Sequence, residues 1–230
     1  MKALAIDTSN LVMGVSVISD GKIVGEMTTN MKKNHSVRLM PAIDSLLKEV
    51  DMTPKELDRI IVAKGPGSFT GVRIGVSVAK TMSWSLGIPV TGVSSLEVLA
   101  QNGKYFDGMV CPLFDGRRGQ IYTGLYGISD GRFQLLQEER IVQLTEWLEL
   151  LEEGSEKVLF LGNDLPLHQE KIEEHFGERA VFGLAADHNP RASELAALGV
   201  EREGEDAHTF TPSYLRLAEA EAKWLANQKK

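Results

Sequence analysis

With 230 residues, 43% hydrophobic and 25% charged, the chain can bury one large core or two modest ones, and it carries no apolar run long enough to cross a bilayer. Its 25 Lys and Arg against 32 Asp and Glu leave a net charge of −7, with basic clusters only at Lys32-Lys33, Arg117-Arg118 and Lys229-Lys230, which argues against gripping RNA or DNA alone. Asp7 interrupts what would be a signal peptide's apolar core, and Cys111, the sole cysteine, permits no internal disulfide, so a reducing cytoplasmic setting is expected.

Ala3 to Ser9 reads as a buried strand, and Leu11 to Ser19 follows with alternating apolar positions. Asp20-Gly21 is a hairpin turn signal, and 22–29 returns as a third strand. From Asn34 to Val50, Leu39, Ile43, Leu46, Leu47 and Val50 recur at helical spacing, and Pro41 either kinks this helix or marks a late start. A strand at 58–63, a helix at 68–86, a strand at 89–93 and a short helix at 95–101 close the first half. The second half repeats the order: strands at 108–114, 120–126 and 132–138, a helix at 144–151, a strand at 157–161, a helix at 166–176, a strand at 180–184 and a helix at 191–200. Each half thus predicts a mixed sheet with an antiparallel hairpin at one edge and helices on its faces. The lobes divide near Gly103, into 1–103 and a more divergent 104–230.

This duplication resembles the actin, hexokinase and sugar-kinase superfamily: an α/β, ribonuclease H-like fold of two lobes, each with a mixed five-stranded sheet flanked by helices. In that fold the first turn of each half can touch phosphate. Asp7, Thr8 and Ser9 form the first such turn here, and Asp115 to Arg118 the second. Aspartates at these places either hold a hydrated cation near phosphates or end strands by bonding turn amides, and both readings stand.

Gly65-Pro66-Gly67-Ser68-Phe69-Thr70-Gly71 lies between strand and helix. It lacks the lysine of a phosphate-binding P-loop, because Val72 follows Gly71, and Thr70 replaces the third glycine of a dinucleotide fingerprint. Its plainest reading is a tight turn with Ser68 as N-cap. In the helix that follows, Gly71, Gly75, Ala79 and Ser83 recur every four residues. Two mid-helix glycines cost about 1 kcal/mol each relative to alanine, so another backbone is expected close by, within this chain or on a partner. Bulk at Gly75 is then expected to break assembly before it breaks the fold. His35 stands at a helix start, where capping is the ordinary role; His168 and His175 read as part of a solvated helix face. No cysteine–histidine set has zinc spacing, no nucleophile elbow occurs, and Cys111 reads as core.

AIDTSN, NHSVRLMPAI, GPGSFTGVRIGVSVAK, PVTGVSSLE, DGRRGQIY and PSYLR occur in this order and resemble the bacterial TsaB (YeaZ) family; the stretch 136–189 matches weakly. The resemblance implies a non-catalytic subunit for making N6-threonylcarbamoyladenosine beside the anticodon of tRNAs reading ANN codons. It implies pairing with TsaD, the related transferase, recruitment of the ATPase TsaE, homodimers when the chain is alone, and contact with tRNA only through the complex. No cofactor of its own follows; any nucleotide, ATP or ADP, belongs at the interface with TsaD. The partner surface would use the two first-lobe helices: His35, Leu39, Ile43, Gly71, Arg73, Gly75, Ala79, Lys80 and Ser83. Nucleotide phosphate would meet Asp7, Thr8, Ser9, Asp115 and Arg118. TsaD carries metal-binding histidines on the helix where this chain has Ser95 and Leu99, neither of which can replace an imidazole. The competing reading is a small-molecule kinase of the same fold, for which Gly162-Asn163-Asp164 is a slight adenosine signal.

Overall fold

A computed structural model describes residues 1–215; Arg216 of the PSYLR block and the Lys229-Lys230 cluster lie outside the described residues. The first sheet has the order β3-β2-β1-β4-β5, built from β1 (Lys2–Asp7), β2 (Val12–Ser19), β3 (Lys22–Asn30), β4 (Arg59–Ala63) and β5 (Val90–Val93). β1 pairs antiparallel with β2 and parallel with β4. The second sheet repeats this topology as β10-β9-β6-β7-β8, from β6 (Met109–Arg117), β7 (Gln120–Ser129), β8 (Arg132–Gln143), β9 (Val158–Leu161) and β10 (Ala180–Phe182). The duplicated order expected from the sequence is the order found.

Period-two alternation decides which face of the first sheet each helix covers. Leu4 and Ile6 of β1 face α1 (His35–Glu49) and α2 (Phe69–Leu86), in a core with Leu39, Ile43, Leu46, Val72, Val76 and Ala79. Ala3 and Ala5 face the other way, where small side chains let a helix come near. That helix is α6 (Ala192–Val200), with Leu195 and Ala196 on the sheet. A Cβ at Gly199 would stand 2.3 Å from Cγ2 of Ile61, so no larger residue fits there. On the second sheet, α4 (Leu144–Glu152) and α5 (Gln169–Phe176) bury Trp147, Leu148, Ile172 and Phe176 on one face. The opposite face receives α3 (Ser95–Ala100) through Leu96, Leu99 and Ala100, packed against Val110, Phe114 and Tyr126.

Helices are therefore exchanged between the halves. α3 comes from the first half and packs on the second sheet, while α6 comes from the second half and packs on the first; the two touch each other in a layer between the sheets. The segment after α6 stays with the first lobe: Glu205 bridges Val90 of β5, Phe210 enters the first core, and Ser213 N–H donates to the Lys64 carbonyl at 2.8 Å. A division at Gly103, with everything beyond it in the second lobe, does not describe this packing. The apolar faces of α3 and α6 are too short to enclose a core, and they are buried only by crossing over.

Two local details also differ from expectation. α1 runs unbroken through Pro41, which sits on its exposed side, where water can solvate the carbonyl that loses its partner. Its N-cap is Asn34, whose side chain accepts from Ser36 N–H, rather than His35. Among the described residues, no helix is long and apolar enough to cross a membrane.

Candidate functional site

A cleft of about 680 Å³ opens between the lobes. One wall carries Asn10, Ser68, Phe69 and Thr70, from the β1–β2 turn and the start of α2; the other carries Asp115, Arg117, Arg118, Tyr122 and Asp164. Ser68 caps α2, as expected, accepting from Gly71 N–H. The loop before it lies against the first turn: Ser68 N–H donates to the Ser9 carbonyl at 2.7 Å, and a Cβ at Gly67 would stand 2.1 Å from that oxygen.

The two turns that were expected to hold phosphate are not equivalent. Asp7, Thr8 and Ser9 are all buried and turned to internal partners. Asp7 Oδ1 accepts from the Ser9 N–H and hydroxyl at 2.8 and 2.7 Å, and the Thr8 hydroxyl donates to the Gly71 carbonyl at 2.7 Å. Burial raises the Asp7 carboxyl above its ordinary range, against the lowering effect of the Ser9 hydrogen bonds. In this structure these three residues hold the turn together and do not line the cleft. Asp115 and Arg118 do line it. Asp115 N–H donates to Asp164 at 2.9 Å, and its carboxylate lies 3.2 Å from His168 Nε2. His168 is therefore a buried group at the root of the cleft, not part of a solvated face; its seven-residue spacing from His175 hid this, because α5 turns that end inward. Arg117, Arg118 and Gly119 all have positive φ (65°, 55° and 75°), a run that non-glycine residues adopt only when the surroundings impose it.

The small-residue face of α2 points inward. Gly71, Gly75, Ala79 and Ser83 are buried in this chain. A Cβ at Gly71 would stand 2.2 Å from the Thr8 carbonyl oxygen, and one at Gly75 would stand 2.6 Å from Thr8 Oγ1. The close neighbour that the glycines admit is thus the first strand's own turn. The outward assignment of these four residues is overturned, and so is that of Leu39 and Ile43, which lie in the first core. His35 Nε2 is bonded to the Asn10 carbonyl, and Lys80 Nζ donates to the Phe210 carbonyl at 2.6 Å, so both serve internal contacts. Arg73 alone of the nine is exposed, stacked 3.9 Å over the Phe69 ring and bonded to Tyr214. The outer surface of the two helices is instead made by Val37 (68% exposed), Met40 (48%) and Trp84 (65%), with Ile74 and Val78 partly covered. Exposure of four large apolar side chains on these helices, Phe69 at the start of α2 being the fourth, was not legible from the spacing, since it counts which residues share a face and not which face the sheet takes.

Ser95 and Leu99 are fully buried, Leu99 within the cluster that joins α3 to the second sheet. Cys111 is core: it accepts from Trp147 Nε1–H at 3.3 Å, and burial pushes its thiol up to about 11. Among the described residues, no group of three or more His, Cys, Asp or Glu side chains stands where it could hold a metal ion.

The family model described as "TsaD: tRNA N6-adenosine threonylcarbamoyltransferase" matches residues 22–224. The Bacillus subtilis "tRNA threonylcarbamoyladenosine biosynthesis protein TsaB" is 55% identical over 229 residues, covering 100% of both chains. The Escherichia coli protein of the same name is 30% identical over 128 residues, 55% of each chain. Among solved structures, YeaZ from Pseudomonas aeruginosa superposes with a TM-score of 0.77 at 26% identity, covering 93% of this chain and 99% of that one. The ethanolamine utilization protein EutJ from Carboxydothermus hydrogenoformans, at 13% identity and a TM-score of 0.50 over 86% of this chain and 90% of its own, shares the fold alone. A duplicated actin-like fold, full-length identity of 55% and the matching family model together place the chain in the TsaB family of tRNA threonylcarbamoyladenosine biosynthesis proteins.

Proposed function

We propose that the chain is a non-catalytic subunit that pairs with TsaD in the cytoplasm and, with the ATPase TsaE, supports threonylcarbamoylation of the adenosine beside the anticodon. The observation that carries this reading is the state of α3. The resemblance puts metal-binding histidines of TsaD at the positions of Ser95 and Leu99, and here both side chains are wholly enclosed, Leu99 among Val110, Phe114 and Tyr126. A hydroxyl and an isobutyl group offer no imidazole nitrogen, and the packing leaves no room for a substrate to reach them.

The pairing surface in this reading is the outer side of α1 and α2, centred on Val37, Met40, Ile74, Val78 and Trp84 and rimmed by Arg73. Exposed apolar side chains grouped on adjacent helices favour association with another helical face. When the chain is alone, the same face pairs two copies. ATP or ADP, if held, lies in the cleft at Arg117 and Arg118, beside TsaD; tRNA is met through the complex.

Co-purification with the cognate TsaD, followed by threonylcarbamoyl transfer to tRNA with and without this chain, tests the reading. Transfer that depends on the chain, together with no turnover of ATP by the chain alone, is the expected result. Turnover by the isolated chain would refute it and favour a small-molecule kinase.

A further inference from the structure

The Lys and Arg side chains of α1 and α2 are Arg38, Lys48, Arg73 and Lys80, and three of them are committed inside the chain. Arg38 donates to the Thr29 hydroxyl at 2.7 Å, Lys48 pairs with Asp44 at 2.7 Å, and Lys80 is turned to the carbonyls of Phe210 and His208. Arg73 stays on the exposed side of α2, four residues after Phe69, so the two side chains share one helix face. Its guanidinium carbon lies 3.9 Å over the centre of the Phe69 ring and 5.9 Å from that of Tyr214. Nε–H donates to the Tyr214 hydroxyl at 3.0 Å, which uses one of the guanidinium's five N–H donors. The N–H groups of Nη1 and Nη2 have no partner among the described residues.

A guanidinium stacked on one ring and tied at Nε to another has lost much of its rotamer freedom before any partner arrives. Its open edge suits two parallel bonds to a carboxylate. Arg73 stands at one end of an exposed stripe that ends at Trp84, about 16 Å further along α2 at 1.5 Å per residue. Ser77 and Thr81, exposed between them, are uncharged, so the charge on this stripe is at one end only and sets the direction in which a partner helix lies. A second copy of this chain answers Arg73 poorly. α2 contains no Asp or Glu, and α1 offers only Asp44, already bonded to Lys48, and Glu49 at its last position.

We propose that Arg73 is the polar anchor of the pairing surface: it receives an Asp or Glu carboxylate from a helix of the partner, and so favours that partner over a second copy of this chain. The proposal rests on the pairing reading above and adds the chemistry of the facing side. An acidic side chain there gains a bidentate bond beside the Phe69 and Tyr214 rings, whereas a copy of this chain presenting α2 gains none. The apolar side chains of the face serve both kinds of pair, and this one residue separates them.

Titration calorimetry against the cognate TsaD gives the Kd of the mixed pair, and sedimentation equilibrium of the chain alone gives that of self-pairing. Arg73→Ala is expected to weaken the mixed pair about thirtyfold, and Arg73→Lys, which keeps the charge but not the fork, about tenfold. Self-pairing is expected to stay within about threefold in both, with melting temperatures unchanged, because the side chain is exposed. In Arg73→Asp, pairing is expected to return when one acidic residue on the pairing helices of TsaD is replaced by Arg, each being tried in turn. An unchanged mixed pair in Arg73→Ala overturns the anchor, and an equal loss in self-pairing overturns the selectivity. Failure of every replacement to restore pairing overturns the carboxylate. A wild-type chain that binds no TsaD overturns the pairing reading itself, and the proposal with it. If Arg73→Ala does not fold, Arg73→Lys decides in its place, by the same two constants.

Discussion

Gly75→Ala is a small change whose outcome depends on which way the α2 face points. In an exposed helix the substitution would stabilise by about 1 kcal/mol through helix propensity. Here the new Cβ would stand 2.6 Å from Thr8 Oγ1 and 3.6 Å from Val62 Cγ2. Thr8 is β-branched and buried, and its hydroxyl is engaged with the Gly71 carbonyl, so it cannot simply swing away. Displacing it leaves a buried polar group without its partner, about 1–3 kcal/mol. Overpacking between strand and helix adds about 1–3 kcal/mol. Against the propensity gain, the net loss is about 1–5 kcal/mol. For a chain of this size that lowers the melting temperature by roughly 2–4 °C per kcal/mol. Circular dichroism melts of wild type, Gly75→Ala, Thr8→Ala and the double variant form the assay. Removing the obstructing hydroxyl should recover part of the loss, with a coupling of about 0.5–3 kcal/mol between neighbouring sites. A Gly75→Ala chain that melts at or above the wild-type temperature, with no coupling to Thr8, would refute the inward packing.

Asp7→Asn keeps the Oδ1 acceptor for Ser9 and removes a carboxyl whose pKa is raised by burial. A raised folded-state pKa means that stability falls as pH climbs above the unfolded value of about 3.9 towards the folded one; the variant should therefore gain over wild type at pH 7 and lose that gain near pH 3, as read by urea melts. An equal difference at both values would rule out the burial penalty. Cys111, with its thiol pushed up to about 11, should resist Ellman's reagent at pH 8 except as fast as the chain unfolds; rapid labelling of the native chain would contradict its burial. Val37→Glu changes a side chain that is 68% exposed, so the isolated chain should keep its stability within about 0.5 kcal/mol. Its pull-down with TsaD should fall at least tenfold, and undiminished capture would move the pairing surface elsewhere.

Much of this molecule was legible along the chain because the signals were local. Alternation at Met13, Val15 and Val17, Asp20-Gly21, and the capping Ser68 each depend on neighbours a few residues away, and each element appears where its pattern put it. The β–hairpin–β order recurring from Gly108 onward carried the duplicated fold for the same reason. The cleft was legible in part: Asp115 and Arg118 were marked by a turn motif, whereas His168 was lost in a run of Glu170, Glu173 and Glu174 that does have solvated members.

What the sequence by itself determined, then, is the set of elements, their duplication and the family, together with the fact that α2 must meet a backbone at close range. Which backbone that is, only the tertiary structure decided. Helical spacing fixes the angle between side chains on one helix and says nothing of what stands opposite; Thr8 reaches Gly71 and Gly75 across 63 residues of chain because β1 and β4 pair in parallel and α2 lies over them. The same holds for α3 and α6. Both are short, neither has enough apolar surface to close a core, and what each packs on is set by the two sheets that enclose them, α3 being buried on both sides through Val98 on one and Leu96 and Leu99 on the other.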